Sequence, residues 1–208
     1  DRRGGLAPPD GALAGLLARN GLQRGTFRLA LREELYGVRG LSPVNGPAAL
    51  IGPRPVGGWD LELSFSDRVS VIAHDRGRHV VLSDVCTTAN PLWRQGGVNR
   101  LMGVVLRALE AIGQETVFES SGPSAWRALR RAVEITLDGL VAEGALGGRG
   151  EPYQVRCDAR TMSQGDLDAG RLVCEVVIQP TPSIERITVV LAVAGAARVG
   201  VPGARGEA

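Results

Sequence analysis

The 208-residue chain is expected to adopt an α+β fold: a mixed β-sheet flanked by two long amphipathic helices, with an extended C-terminal strand arm. Three observations predict it. Apolar residues recur at helical spacing over Leu101, Val104, Val105, Ala108, Leu109 and Ile112, and again over Trp126, Leu129, Val133, Leu137, Leu140 and Val141. Near the C-terminus, Leu172, Cys174, Val176 and Ile178 alternate with Arg171, Val173, Glu175, Val177 and Gln179, the period-two pattern of a half-buried strand. Strands and helices do not alternate as regular βαβ units, which favours α+β over a doubly wound architecture.

In chain order, residues 1 to 10 read as a linker and Gly11 to Arg19 as a short helix of small residues. The Pro- and Gly-rich stretch Leu41 to Gly58 reads as a long loop. Val69 to Ala73 and His79 to Ser83 are strand candidates joined by a turn at Asp75-Arg76-Gly77-Arg78. Gly113 is placed to end the first long helix; Ser124 and Gly144 are placed to cap and end the second. Tyr153 to Asp158 supplies a strand before the alternating run. A last run sets Ile187, Val189, Leu191 and Val193 on one face. Pro180 and Pro182 stand between these two runs where a hairpin would show Asn-Gly or Asp-Gly, so the final run is expected to leave the domain as an arm. The expected division is a core over residues 1–182 and an arm with a flexible tail over 183–208.

Composition narrows the function classes. A net charge of +2 gives little global attraction to nucleic acid or an anionic membrane. All basic residues are Arg, which excludes a Walker lysine and hence a P-loop. Cys86, Cys157 and Cys174 have neither the spacing of a zinc site nor that of a disulfide framework, and reduced thiols are expected. No apolar run reaches the roughly 20 residues of a membrane span.

Candidate chemistry is sparse. His74 and His79 with Cys86 or Asp75 are types that bind zinc, but their spacing matches no ligand pattern; a turn flanked by histidines is the simpler reading. Ser120, Ser121 and Ser124 lack a nucleophile elbow. Gly96-Gly97 precedes a helix without a dinucleotide fingerprint. Asp166 and Asp168 are better turn residues than an acid/base pair. Arg127, Arg130 and Arg131 form a basic stripe opposite the apolar face of the second helix, either solvated or turned to an acidic partner.

Four stretches, in order, resemble the contractile phage tail sheath family, including sheaths of related injection systems. "PPDGALAGLLARNGLQRGTFRLAL" is similar to its Pro-Pro-Ser-Gly stretch leading to Arg-Gly-Val-Trp, and "DRGRHVVLSDVCTT" to its Gly-Arg-Gly and strand segment. "PLWRQGGVNRLMGVVLRALE" is similar to its Trp-Arg, Val-Asn, Arg-Arg helix entry. "YQVRCDARTMSQGDLDAGRLVCEVVIQPTPSIERITVVL" is similar to its Val-Arg-Cys-Asp strand, Asp-x-Gly-x-Leu turn and final arm. The stretch at 42–58 and the degraded Ser66-Asp67-Arg68-Val69-Ser70 depart from the family pattern.

The resemblance implies the C-terminal half of a structural subunit that polymerises helically around an inner tail tube, with no catalysis and no cofactor. It implies other sheath subunits, the tube protein and baseplate or cap proteins as partners, and no nucleic acid or membrane. Assembly would take place in the cytoplasm, and the product would be a virion tail or a phage-tail-like particle. The arm residues Ile184, Ile187, Val189, Leu191 and Val193 would pair with a neighbouring subunit, and Arg127, Arg130 and Arg131 would face the tube or a neighbour. The alternatives are a non-contractile adaptor or cap on such a tube and, more remotely, a small-molecule enzyme using His74, His79 and the Asp166/Asp168 pair.

Overall fold

Leu13, Leu16 and Leu17 bring one apolar side of a helix onto Ala30, Leu35, Ile72 and Val81, and this cluster is the core of the N-terminal part of the chain. The computed structural model describes residues 6–42, 68–116, 122–148, 150–181, 187–194 and 196–200. It divides into two compact units, Asp1–Arg100 and Leu101–Ala208. Helix α1 (Asp10–Arg24) runs past the expected Arg19. Asn20 in that added turn is buried and donates to the Arg28 carbonyl at 2.9 Å, so tertiary contact extends the helix until Gly25, at φ 96°, ends it.

Strands β1 (Ile72–Asp75) and β2 (Arg78–Val81) form the expected hairpin, shifted toward its turn. Arg76 and Gly77 both have positive φ, 48° and 81°, the conformation a two-residue hairpin turn of matching twist requires. Beyond Ile72 one backbone bond, from the Leu82 amide to the Val71 carbonyl at 2.8 Å, is joined by side-chain bonds: the Val71 amide donates to the Ser83 hydroxyl at 2.8 Å, and the Val85 amide to the Ser70 hydroxyl at 3.2 Å. Residues 32 to 35 lie along the other side of β2, with the Arg32 amide donating to the Val81 carbonyl and the Leu35 amide to that of His79.

A 3-10 turn (Pro91–Trp93) leads into helix α2 (Gly96–Thr116), which begins in the first unit and continues in the second. Leu101, Met102, Val105 and Leu109 are buried along it, and it continues through Gly113 rather than stopping there.

In the second unit, helix α3 (Pro123–Ala142) sets Ala125, Leu129, Val133 and Leu137 inward and packs on strands β3 (Tyr153–Arg156) and β4 (Leu172–Ile178). Its cap is Gly122, with Pro123 opening the first turn, and not Ser124, which is exposed. Gly144, at φ 72°, follows its end as expected. A five-residue helix, α4 (Gln164–Asp168), joins β3 to β4. The sheet has the order β3-β4-β5-β6, with β5 Ile187–Ala194 and β6 Ala196–Gly200.

Two expectations are corrected here. The α+β class holds, but every described strand pair is antiparallel, so the sheet is not mixed. The C-terminal run is not an extended arm. β5 pairs with β4 over seven positions, from Leu172↔Val193 to Ile178↔Ile187, and lies inside the sheet between β4 and β6. Ile187 and Val193 are 3% exposed, Val189 and Leu191 0%. The division at 182/183 therefore cuts through one sheet.

The physical reason is burial. Each of those four side chains gains about 1.5–3 kcal/mol when covered, and β4 offers a free side with the matching period. Pro180 does not steer the chain outward. Gln179 and Thr181 on either side of it are tied to the segment after α3, through Gly147 N–H to the Gln179 carbonyl at 2.9 Å and Thr181 N–H to the Ala145 carbonyl at 3.0 Å. A connection longer than two residues needs no Asn-Gly turn to reverse.

Candidate assembly surfaces

The outward side of α3 is the exposed surface that the sequence singles out. Arg127, Arg130 and Arg131 are all exposed, because the 3.6-residue period that turns Leu129, Val133 and Leu137 inward carries them out. Arg127 donates from Nε to the Pro123 carbonyl at 3.2 Å. Arg130 pairs with Glu134 at 3.4 Å, one turn on, so its charge is partly answered within the helix. Arg131 has no acidic partner among the described residues. One turn beyond it stands Ile135, 63% exposed, so Arg127, Arg131 and Ile135 follow one another at four-residue steps. Sequence reasoning passed over Ile135. Its signal was present: it is a large aliphatic residue that falls outside the Leu129-Val133-Leu137 stripe.

Of the other predicted site residues, those that the structure describes make the following contacts. His74 and His79 are cross-strand partners with ring centroids 5.2 Å apart, and among the described residues no group of three or more His, Cys, Asp or Glu is placed to hold a metal. Asp166 belongs to a capping box with Ser163: each side chain takes the other residue's amide, and Asp166 also meets Arg171 at 2.9 Å. The Ser163 hydroxyl and then its amide hold the Asp166 carboxyl below its ordinary range. Asp168 accepts instead from Gln164 at 2.8 Å, so the two aspartates do not act as a pair. Ser120, Ser121 and Ile184 lie outside the described residues. Ile187, Val189, Leu191 and Val193 face the interior of their own unit. A groove of about 650 Å³ on the outer side of the sheet is lined by Arg156, Asp158, Arg160, Thr161, Val173, Glu175 and Val190, none of them in the set weighed for catalysis.

Gly96 and Gly97 have a packing reason. A Cβ on Gly97 would lie 2.5 Å from the Phe27 carbonyl oxygen, and one on Gly96 would lie 2.0 Å from Asp84 Oδ1. The anion at this helix start is thus the chain's own Asp84, whose carboxylate takes the Arg100 fork at 3.1 and 2.6 Å and the Ala30 amide at 3.2 Å. Arg100 reaches further, donating to the carbonyls of Thr26 at 2.7 Å and Arg28 at 3.2 Å. One guanidinium therefore holds the 26–30 segment, the end of the β2 extension and the start of α2 together.

In the second unit the Tyr153 hydroxyl donates to Asp138 at 2.5 Å. Partial desolvation, followed by that carboxylate, pushes the phenol up to about 12.

The fold is an α+β architecture whose Asp84–Arg100 pair ties the backbone together and whose helix α3 presents an exposed basic side. Residues 88–194, just over half of the chain, match the phage tail sheath C-terminal domain, and the chain belongs to that family. No curated protein matches it by sequence.

Its structure is similar to a chain of the anti-feeding prophage baseplate (TM-score 0.70, 25% identity, covering 83% of this chain and 46% of that one). It is also similar to the contracted helical sheath of the anti-feeding prophage (0.69, 24%, 86% and 48%). A third likeness is to the contracted PVC sheath complex of an extracellular contractile injection system (0.63, 24%, 83% and 47%). The chain spans about half the length of these solved chains.

Proposed function

We propose that this chain is a structural subunit of a contractile tail sheath, assembled helically with copies of itself around an inner tube in a phage tail or phage-tail-like particle. The observation that carries this is the sheath C-terminal domain match over 88–194. Its contribution is mechanical: a unit held by the Arg100 clamp and another built on the four-stranded sheet, with the outward side of α3 as the contact surface.

On that surface Arg127 and Arg131 meet acidic groups of the tube or of an adjoining subunit, with Ile135 as the apolar centre and Arg130 at the flank. A single exposed contact of this kind is worth about 1 kcal/mol or less and is screened by salt; helical repetition multiplies it. Since β5 is committed to its own sheet, strand pairing between subunits falls to the outer strands β3 and β6. The likeness to a baseplate chain favours, as a second reading, an adaptor or cap at the tube end.

The test is electron microscopy of the full-length protein expressed with its genomic neighbours. Striated sheathed tubes support the sheath reading, particles confined to tube ends support the adaptor, and no association with a tube overturns both. Reversing Arg127, Arg130 and Arg131 to Glu together should abolish or strongly weaken assembly while lowering the melting of the chain only slightly, through the lost Arg130–Glu134 pair. Unaltered assembly with unaltered salt dependence would show the stripe to be merely solvated.

A further inference from the structure

Two cysteines that the assembly role does not use meet across strands β3 and β4. The antiparallel register ends at Arg156↔Glu175, so the next position sets Cys157 opposite Cys174. Both thiols are buried, at 6% and 0% exposure, on the inward face with Val176 and Ile178. Directly opposed residues of an antiparallel pair have Cα atoms about 4.5–5.5 Å apart, inside the roughly 4.4–6.8 Å range a disulfide spans.

The residues after Cys157 keep it in place: the Arg160 amide donates to Asp158 at 2.7 Å, and the Thr161 hydroxyl to the Val173 carbonyl, also at 2.7 Å. β3 has four residues and is an outer strand of the described sheet, so its end opens at far lower cost than the interior strands.

We propose that Cys157 and Cys174 form a redox-active dithiol, closing to a cross-strand disulfide when the folded protein meets a low-molecular-weight disulfide. Cys157, just past the end of the outer strand β3 and the more exposed of the two thiols, is the attacking group. The Cys174 side chain holds the Cys157 thiol below its ordinary range, while Cys157 and then burial push the Cys174 thiol up. The Cys157 thiolate attacks one sulfur of oxidised glutathione and releases one glutathione thiolate, leaving a mixed disulfide. Cys174 then passes its proton to the released glutathione thiolate, and the Cys174 thiolate attacks the Cys157 sulfur and displaces the second glutathione as its thiolate. Two protein thiols are oxidised, and one small disulfide is reduced to two thiols. The product straps the outer strand β3 to β4 and closes the chain from 157 to 174, restricting the unfolded ensemble. The proposal is independent of the assembly role.

The experiment incubates the full chain with oxidised glutathione, blocks remaining thiols after unfolding, and maps peptides without reduction. A Cys157–Cys174 cross-link is expected, with Cys86 left out of it, and a rise in the denaturant midpoint that dithiothreitol reverses. In Cys174→Ser the reaction should halt at a glutathione adduct on Cys157, an intermediate that two merely packed thiols would not yield. Recovery of both thiols free, from protein that stays folded in excess oxidant, overturns the proposal, as does a stable adduct in the wild type that never closes.

Discussion

The pair Asp84 and Arg100 lends itself to a double-mutant cycle, because one guanidinium makes four hydrogen bonds, two to the carboxylate and two to carbonyls at Thr26 and Arg28. The Asp84 side chain is 9% exposed and that of Arg100 25%. Removing one partner of a fully buried pair costs about 3–5 kcal/mol, mostly through the charge left behind. Since Arg100 keeps a quarter of its solvent contact, Arg100→Ala and Asp84→Ala should each cost about 2–4 kcal/mol, with water answering part of the stranded charge. The double variant should cost less than the sum, with a coupling of about 2 kcal/mol. Urea unfolding of the four proteins measures this, and amide exchange over residues 26–31 should accelerate in each single variant. Single losses near zero with a coupling below about 0.5 kcal/mol would refute the clamp and reduce the pair to an exposed ion pair.

Gly97→Ala should destabilise by about 1–3 kcal/mol, because backbone must move away from the Phe27 carbonyl; Gly139→Ala, with nothing within 4 Å, should stabilise α3 by about 0.5–1 kcal/mol in the same thermal melt. Removing residues 183–208 strips β5 from the sheet and uncovers β4; burial of four side chains at about 1.5–3 kcal/mol each is comparable with the whole stability of a domain, so circular dichroism should show the second unit's melting transition lost. A truncated chain that melts like the full one would return β5 to the role of an arm. The Asp166 carboxyl titrates below its ordinary value in the folded chain, so its contribution is present at neutral pH and lost as pH falls through the folded value. In an NMR titration Ser163→Ala should move that carboxyl back up toward the ordinary range, and an unmoved titration would mean the capping box does not hold it.

Periodicity makes the two long helices and β4 legible in the sequence, since Leu129, Val133 and Leu137, or Leu172, Cys174, Val176 and Ile178, are a direct record of which side is buried. The same alternation located β5 but left its partner open: Ile187, Val189, Leu191 and Val193 require cover without saying whose. The absence of a tight-turn dipeptide does not exclude a reversal through a longer connection. The Arg stripe is legible as exposed, whereas Ile135 is hard to single out because one outward aliphatic residue breaks no pattern. Arg100 could not be found locally, because its partners are 16, 72 and 74 residues away and only the fold brings them together. Asp166 reads as a turn residue, and the Ser163-x-x-Asp166 spacing carries the further signal of a capping box.

Each strand of the second sheet has as its neighbours the strands next to it in the chain. Such a meander has low contact order: no pairing waits for a distant segment, and loop closure extracts little entropy at each step. The sheet is therefore expected to form early and locally, with β5 inserted as soon as it follows β4. Withdrawing that strand later would require undoing a finished nucleus, a slow event governed by the unfolding barrier. Any exchange between molecules is thus kinetically directed to the outer strands, and the concentration dependence of folding is predicted to be nil even where that of association is steep.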